Sequence, residues 1–446
     1  MESVSAFLAA NSAVISLIIF AFSVALFIWD KLPMATSAIL GCALMVIFGV
    51  CDFKTAFGQF ASNTVLMLIG VLIVGAAVAE TGVAAVIGRA ITRVSRGNER
   101  VLLAVSFLVA MALSTFMTNV TVLAIFIPIF FALAKDNKNI NPLNLVIPLT
   151  LAVNMGGVAT LAGSSQQMTA QGLLEDYGFT PFKMFDFLPF GLVLGAVALL
   201  YCLFVGYPLG KRIWGARTEL DSEYANTEIR EIKLEKRKVI SVSVIFVLMV
   251  FFYIYQKIPF TDIKVPIQWT STAAALACII TGCISQKKAI ASVNWNIVGR
   301  LAGCLGIAAA LQKGGGIALV GDLFMKLENI GCTPFVLFAI LVLIAQLTSL
   351  FISNSTAITV TLMIVIAIAN SGATGSLAGL NVTAYAMGIV LGSSMGASCP
   401  LSGSTWGISM AAGYKFRDYF KYGVGIDVLS YLVILVMVPL LMGLTL

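Results

Sequence analysis

Histidine is absent from all 446 residues, which removes the commonest proton relay near neutral pH and the commonest transition-metal ligand. Charge is scarce too. Asp, Glu, Lys and Arg make up 11% of the chain, against about 25% in a soluble domain. The longest polar stretch is Lys211 to Lys238, and no P-loop of the form GxxxxGKS or GxxxxGKT occurs, which argues against ATP-driven pumping by this chain alone. The eight cysteines (Cys42, Cys51, Cys202, Cys278, Cys283, Cys304, Cys332 and Cys399) stand singly in apolar context without CxxC spacing. They read as small buried hydrophobes rather than as metal or redox centres. With no clustered nucleophile, base or metal set, nothing assembles an enzyme active site.

What is abundant is hydrocarbon: 60% of residues are hydrophobic and the mean hydropathy is +1.01. Apolar runs near 11–30, 34–51, 61–88, 143–173, 185–207, 239–256, 266–284, 293–312, 379–410 and 423–445 each reach the roughly 17 to 25 residues a bilayer crossing needs. An all-α, polytopic membrane protein of about ten spans follows. The first run follows Met1-Glu2-Ser3 without a basic n-region and reads as a retained span.

The net charge of +7 resolves into topology. With Arg89, Arg93, Arg96 and Arg100 placed in the cytoplasm and the spans alternated, 20 basic residues fall inside and 6 outside, with Arg300 within a span. That is the positive-inside bias, and it puts both termini outside. It leaves no reason to invoke nucleic acid. The alternation holds only if 101–133 and 333–370 return to the side they entered from, as re-entrant hairpins. The glycosylation sequons at Asn119 and Asn354 lie inside these apolar segments, beyond the modifying enzyme's reach.

Both hairpin segments carry a polar break. Leu113 to Thr121, with Ser114, Thr118 and Asn119, aligns with Thr348 to Thr356, with Ser349, Ser353 and Asn354, at an offset of 235. Asn154 to Ser165 aligns with Ser394 to Thr405 at 240, and Ala77 to Gly82 with Ala309 to Gly314 at 232. Ordered offsets of similar size indicate one duplication, with repeats at 1–207 and 239–446 and a cytoplasmic linker at 208–238. Each repeat holds five full spans, an odd number, so the second is inverted. Inverted repeats are typical of secondary transporters that alternate access around a midplane site; a channel is more usually built on an oligomeric pore. The stretches 143–173 and 379–410 exceed a straight span. Each carries an interruption, Gly163-Ser164-Ser165 or Gly403-Ser404-Thr405, where a broken helix frees carbonyls for cations and aims a helix N-terminus at anions.

Amides, hydroxyls and carbonyls without a fixed carboxylate form a neutral oxygen cage suited to Na⁺ rather than to a divalent metal. Proton coupling would want an intramembrane acid, and the tips hold none. Glu80, Arg300 and Asp427 lie within or near spans. Snorkelling to the cytoplasmic interface accounts for Arg300 and Asp427 as well as function does; Glu80 is harder to dismiss.

These residues resemble the divalent anion/sodium symporters, part of a wider superfamily with arsenite-efflux and sodium/proton antiporter relatives. That family carries Ser-Asn-Thr motifs at two opposed hairpin tips and a Gly-Thr-Pro-Pro-Asn-like break in the following helix. Here the tips read Thr118-Asn119-Val120 and Ser353-Asn354-Ser355, and the breaks Gly163-Ser164-Ser165-Gln166-Gln167 and Gly403-Ser404-Thr405-Trp406-Gly407. The resemblance implies one Na⁺ among Ser114, Thr118, Asn119 and Gly163, and a second among Ser349, Ile352 through its carbonyl, Asn354 and Gly403. It implies a di- or tricarboxylate held by Asn119, Asn354 and Ser355, with Val120, Thr121, Thr356, Ser164 and Thr405 alongside. Val120 replaces a hydroxyl with a methyl, and the family's prolines are missing at the breaks. The resemblance further implies sodium-coupled symport or exchange, an elevator motion, a homodimer and a bacterial inner membrane. Arsenite efflux or Na⁺/H⁺ antiport is the alternative within the superfamily.

Two cytoplasmic segments read as connectors: Glu228 to Lys236, an amphipathic helix tying the halves, and Arg89 to Arg100, a surface helix before the first hairpin.

Overall fold

A computed structural model describes residues 10–29, 32–81, 91, 95, 97–137, 139–215, 235–257, 263–316, 319, 333–370 and 379–444. Every regular element among them is helical. The expected connector at Glu228 to Lys236 lies almost wholly outside the described residues, as do Arg89, Arg93 and Arg96.

In chain order the helices are α1 Ser12–Trp29, α2 Met34–Ile47, α3 Phe53–Phe57, α4 Asn63–Glu80, α5 Glu99–Ser114, α6 Asn119–Asp136, α7 Leu143–Val158, α8 Ser165–Asp176, α9 Leu188–Tyr201 and α10 Tyr207–Trp214. A second series follows: α11 Lys236–Tyr255, α12 Ile267–Ile280, α13 Gln286–Ser292, α14 Trp295–Lys313, α15 Pro334–Ser349, α16 Asn354–Asn370, α17 Val382–Ser393, α18 Ser404–Met410 and α19 Phe416–Met442.

The two series are punctuated alike. Pro33 and Pro266 precede α2 and α12, each 14 residues long, and Gly49 (φ +70°) and Gly282 (φ +72°) follow them. A left-handed residue just past a helix is a glycine position, and these two are 233 residues apart. Side-chain caps recur in the same register. Ser62 and Asn294 cap α4 and α14, Asn98 and Thr333 cap α5 and α15, and Thr118 and Ser353 accept from the backbone N–H groups of Thr121 and Thr356.

Packing between the series is reciprocal: α2 lies on α14 as α4 lies on α12, and α6 lies on α18 as α8 lies on α16. An exchange of that form is what a two-fold relation produces. Within each series the hairpin helices pack on the broken helix, α5 and α6 on α7, α15 and α16 on α17. The broken helices form the centre. Every residue of α7 except Asn154 is buried, and so is every residue of α17 except Thr383. A helix apolar on all sides belongs in an interior. By contrast, α11 and α19 turn Val244, Val247, Leu248, Val428, Leu432, Val436 and Leu440 outward, as lipid-facing helices do.

Sequence expectations need adjusting at three places. Among the described residues, Phe53–Glu80 (α3, a 3₁₀ turn and α4), Leu188–Trp214, Arg237–Tyr255 and Phe416–Met442 are the helical stretches long and apolar enough to cross a bilayer. α2 and α12 stop at about 21 Å because glycine ends them. The breaks are wider than the Gly-Ser pairs, covering 159–164 and 394–403. Finally, the helix at the expected repeat boundary, 207, runs on to Trp214 through a π turn over Cys202–Gly206. Pro208 lacks the N–H that would complete the α ladder there.

Candidate functional site

The first tip is a turn of four residues between α5 and α6. At its end Thr118 caps α6, and its hydroxyl also lies 2.6 Å from that of Thr121. Asn119 is then fixed from both ends: Ser114 Oγ donates to its Oδ1 at 2.6 Å, and its Nδ2 donates to Asn154 Oδ1 at 3.1 Å. Gly157 admits this geometry, since a Cβ there would lie 2.6 Å from Asn119 Oδ1.

The second tip has the same backbone and a different fate. Ser353 caps α16 and its hydroxyl lies 3.0 Å from that of Thr356. Ser349, buried, donates to the Gln346 carbonyl at 2.8 Å. Asn354 Oδ1 and Ser355 Oγ are shielded from solvent and have no hydrogen-bond partner in the protein. Buried polar atoms without partners cost roughly 1 to 3 kcal/mol each, and a ligand group reaching them would offset that cost.

Both breaks are held by side chains. Gln167 Nε2 donates to the Gly157 carbonyl at 2.9 Å across the first break, and Ser164 Oγ donates to Gln166 Oε1 at 2.9 Å. At the second, the Asp427 carboxylate accepts the N–H groups of Ala397 (2.7 Å) and Ser398 (2.9 Å). Gly423, one helical turn earlier on α19, lets that backbone approach: a Cβ there would lie 2.3 Å from Ala397. The two halves are stitched together at this level. Thr405 Oγ1 donates to Asn154 Oδ1 at 3.2 Å, and Ser394 Oγ to Gln166 Oε1 at 3.0 Å.

A cavity of about 170 Å³ opens between the tips and the breaks, space for several water-sized groups. Of the residues singled out in the sequence, Thr118, Asn119, Val120, Gly163, Ser164, Asn354, Ser355, Gly403 and Thr405 line it. Ser114, Thr121, Ser349, Ile352 and Thr356 do not: Ser114 orients Asn119, Thr121 and Thr356 complete the tip caps, Ser349 bonds its own helix, and Ile352 donates its N–H to the Thr348 carbonyl. A Cβ at Gly403 would meet no protein atom within 4 Å.

Further lining residues, outside the set expected to hold Na⁺ and the anion, include Asn154, Ser165, Gln166, Ser353, Ser394, Ser402, Ser404, Trp406 and Arg300. Asn154 and Ser394 occupy equivalent places in the offset-240 alignment, and a polar residue at both was a usable signal. Snorkelling is the wrong reading for Arg300 and Asp427. Arg300 faces the cavity and its Nη2 donates to Ser165 Oγ at 3.3 Å; Asp427 points inward at the break. Glu80 does not line the cavity. It ends α4, half-exposed, and pairs with Lys288.

A sequence profile described as citrate transporter matches residues 24–392. The chain belongs to the citrate transporter family. That family is one of membrane transporters rather than enzymes, within the superfamily to which the tip motifs pointed. Relatives agree. An uncharacterized transporter of Synechocystis is 29% identical over 188 residues, 42% of this chain and 30% of its own length. The sodium-dependent high-affinity dicarboxylate transporter 3 of Caenorhabditis elegans is 22% identical over 390 residues, 76% of this chain and 67% of its own. The chain thus spans about a third of the first of these curated relatives. The crystal structure of the Alcanivorax borkumensis YdaH transporter shares the fold, with a TM-score of 0.62 at 12% identity over 88% of both chains.

Proposed function

We propose that the cavity binds a small di- or tricarboxylate together with Na⁺, and that the protein is a secondary active carrier working by sodium-coupled symport or exchange. The observation that carries this reading is the pair of unpartnered buried atoms at the second tip, Asn354 Oδ1 and Ser355 Oγ. A hydroxyl donates to a carboxylate, and an amide oxygen accepts a cation. Asn354 and Gly403 would supply oxygens to one Na⁺, and Thr118, Asn119 and Gly163 to another. Ser164 and Thr405 flank the anion. Among the described residues no Asp or Glu lines the cavity, which favours an anionic cargo over arsenite efflux by proton exchange or Na⁺/H⁺ antiport.

The relative whose name includes sodium-dependent dicarboxylate transport supports the same class. The alike helix series and their reciprocal packing support an inverted duplication, 1–207 and 239–446, joined by 208–238, and hence alternating access. By family likeness we extend the proposal to an elevator motion within a homodimer of the bacterial inner membrane, with both termini outside.

Uptake of labelled succinate, citrate and malate into proteoliposomes, with and without an inward Na⁺ gradient, tests the reading. Accumulation that collapses in choline is expected. Uptake indifferent to Na⁺ would remove the coupling, and no uptake of any carboxylate would remove the substrate class.

A further inference from the structure

The two tips share a design, yet only the first is docked. Asn119 is seated on α7 by three residues: Ser114 donates to it, Asn154 accepts from it, and Gly157 leaves it room. Their counterparts at the offsets of 235 and 240 are Ser349, Ser394 and Ala397, and none of them seats Asn354. Ser349 donates to the Gln346 carbonyl, Ser394 turns to Gln166 and to the Val390 carbonyl, and Ala397 carries the methyl that Gly157 lacks. The helices differ as well. α7 runs through its docking turn to Val158, whereas α17 ends at Ser393 and the matching turn, 394–398, is unwound.

A polar pair that the first half lacks sits beside that turn. Gly191 and Gly423, 232 residues apart, each abut the end of a broken helix: a Cβ would lie 2.7 Å from Ala159 or 2.3 Å from Ala397. One helical turn further on, the first half has Gly195, packed on Met111, and the second has Asp427, whose carbonyl accepts from Gln346 Nε2 at 2.9 Å. Met111 and Gln346 are themselves 235 apart, so an apolar contact in one half is a polar one in the other. The Asp427 carboxylate takes the N–H groups of Ala397 and Ser398, which a continued helix would direct to the carbonyls of residues 393 and 394. Amides satisfied in this way gain no hydrogen bond by rewinding.

We infer that Asp427 is a positioning residue for recognition at the second tip. It holds the 394–398 turn unwound, so that Asn354 stays off its broken helix and, with the Ser355 hydroxyl, is left for a carboxylate of the transported anion and the cation beside it. The inference rests on the carboxylate reading above and adds to it a division of roles: a first tip locked as a fixed wall, and a second tip completed by ligand.

Hydrogen exchange on wild type in detergent and NaCl tests the division. Succinate at about ten times its Kd should slow exchange at 353–357 about tenfold and leave 118–122 unchanged; equal protection of both tips refutes it. The role of Asp427 is tested by giving the second half the residues of the first. S394N/A397G/D427G should dock Asn354, protecting 353–357 without ligand. Its KM for labelled succinate in proteoliposomes should exceed that of S394N/A397G, which keeps Asp427, by about tenfold or more, the scale of one charge-assisted hydrogen bond. A merely structural role would lower the amount of folded carrier without separating the two KM values, so equal KM overturns the inference. Should the triple variant fail to elute as a folded protein, D427E against D427N decides: the carboxylate should recover KM that the amide loses, and equal KM in that pair refutes the assignment. Wild type that neither transports nor is protected by any carboxylate sinks the substrate reading itself, while ligand-free protection of 353–357 in the triple variant still reads the docking.

Discussion

Asn119 and Asn354 occupy matched places yet differ in what surrounds them, and the difference sets different mutational outcomes. Asn119→Ala removes the acceptor of Ser114 and the donor to Asn154, so it should lower stability by about 1 to 2 kcal/mol as well as transport. Asn354→Ala removes an oxygen with no partner in the protein. It should leave the melting temperature within about 1 to 2 °C of wild type while abolishing uptake. Thermal unfolding in detergent beside uptake assays checks both, and equal destabilisation by the two would contradict the asymmetry. Gly157→Ala belongs to the same scale. Its Cβ would press on the Asn119 amide, which should impair transport more than stability, and normal uptake by that variant would count against a role for the first tip.

At the scale of helices, the second break is pinned by Asp427. Asp427→Asn turns an NH₂ toward one of the two backbone N–H groups of Ala397 and Ser398. It should cost about 2 kcal/mol and loosen the 394–403 segment, read as faster hydrogen exchange there; unchanged exchange would show that the carboxylate does not hold the break. Legibility in the sequence was greatest here. Helix pairs meet at the polar breaks, Glu99–Ser114 with Asn119–Asp136 and Pro334–Ser349 with Asn354–Asn370, because an amide among hydroxyls interrupts an apolar run whatever packs around it. The residues that complete the site were harder to read. Asn154, Gln166 and Ser394 are single polar side chains inside buried helices, and only their meeting across the two halves gives them a role. Asp427 and Arg300 defeated a hydropathy argument because a charge near a span end can face either lipid headgroups or the interior, and only packing decides. The Pro33–Gly49 and Pro266–Gly282 brackets were legible and pass unnoticed when runs are measured by hydropathy alone.

For the whole molecule, side chains connect regions that a moving carrier must keep or break. Lys313 pairs with Asp52, and Lys288 with Glu80, each tying the second helix series to the first. Just past the apolar run that ends at 173, Asp176 accepts from Gln59 Nε2 at 3.0 Å. Burial, reinforced by neighbouring Glu175 and opposed by the Gln59 bond, pushes its carboxyl from 3.8 up to about 6. The folded state therefore keeps the proton that the unfolded chain releases, so this contribution to stability is full below about pH 4 and is lost as pH rises through about 6. The melting temperature should fall from about pH 4 to 6, and Asp176→Asn should flatten that slope; an identical slope in the variant would exclude Asp176 as its source.

The central proposition is that the cavity between the two tips is where the anion binds. Calorimetric titration of citrate and succinate into purified wild type and Asn354→Ala, in NaCl and in choline chloride, tests it most directly. Binding to wild type in NaCl that disappears in Asn354→Ala is the expected result, and undiminished affinity in a folded Asn354→Ala protein would contradict it.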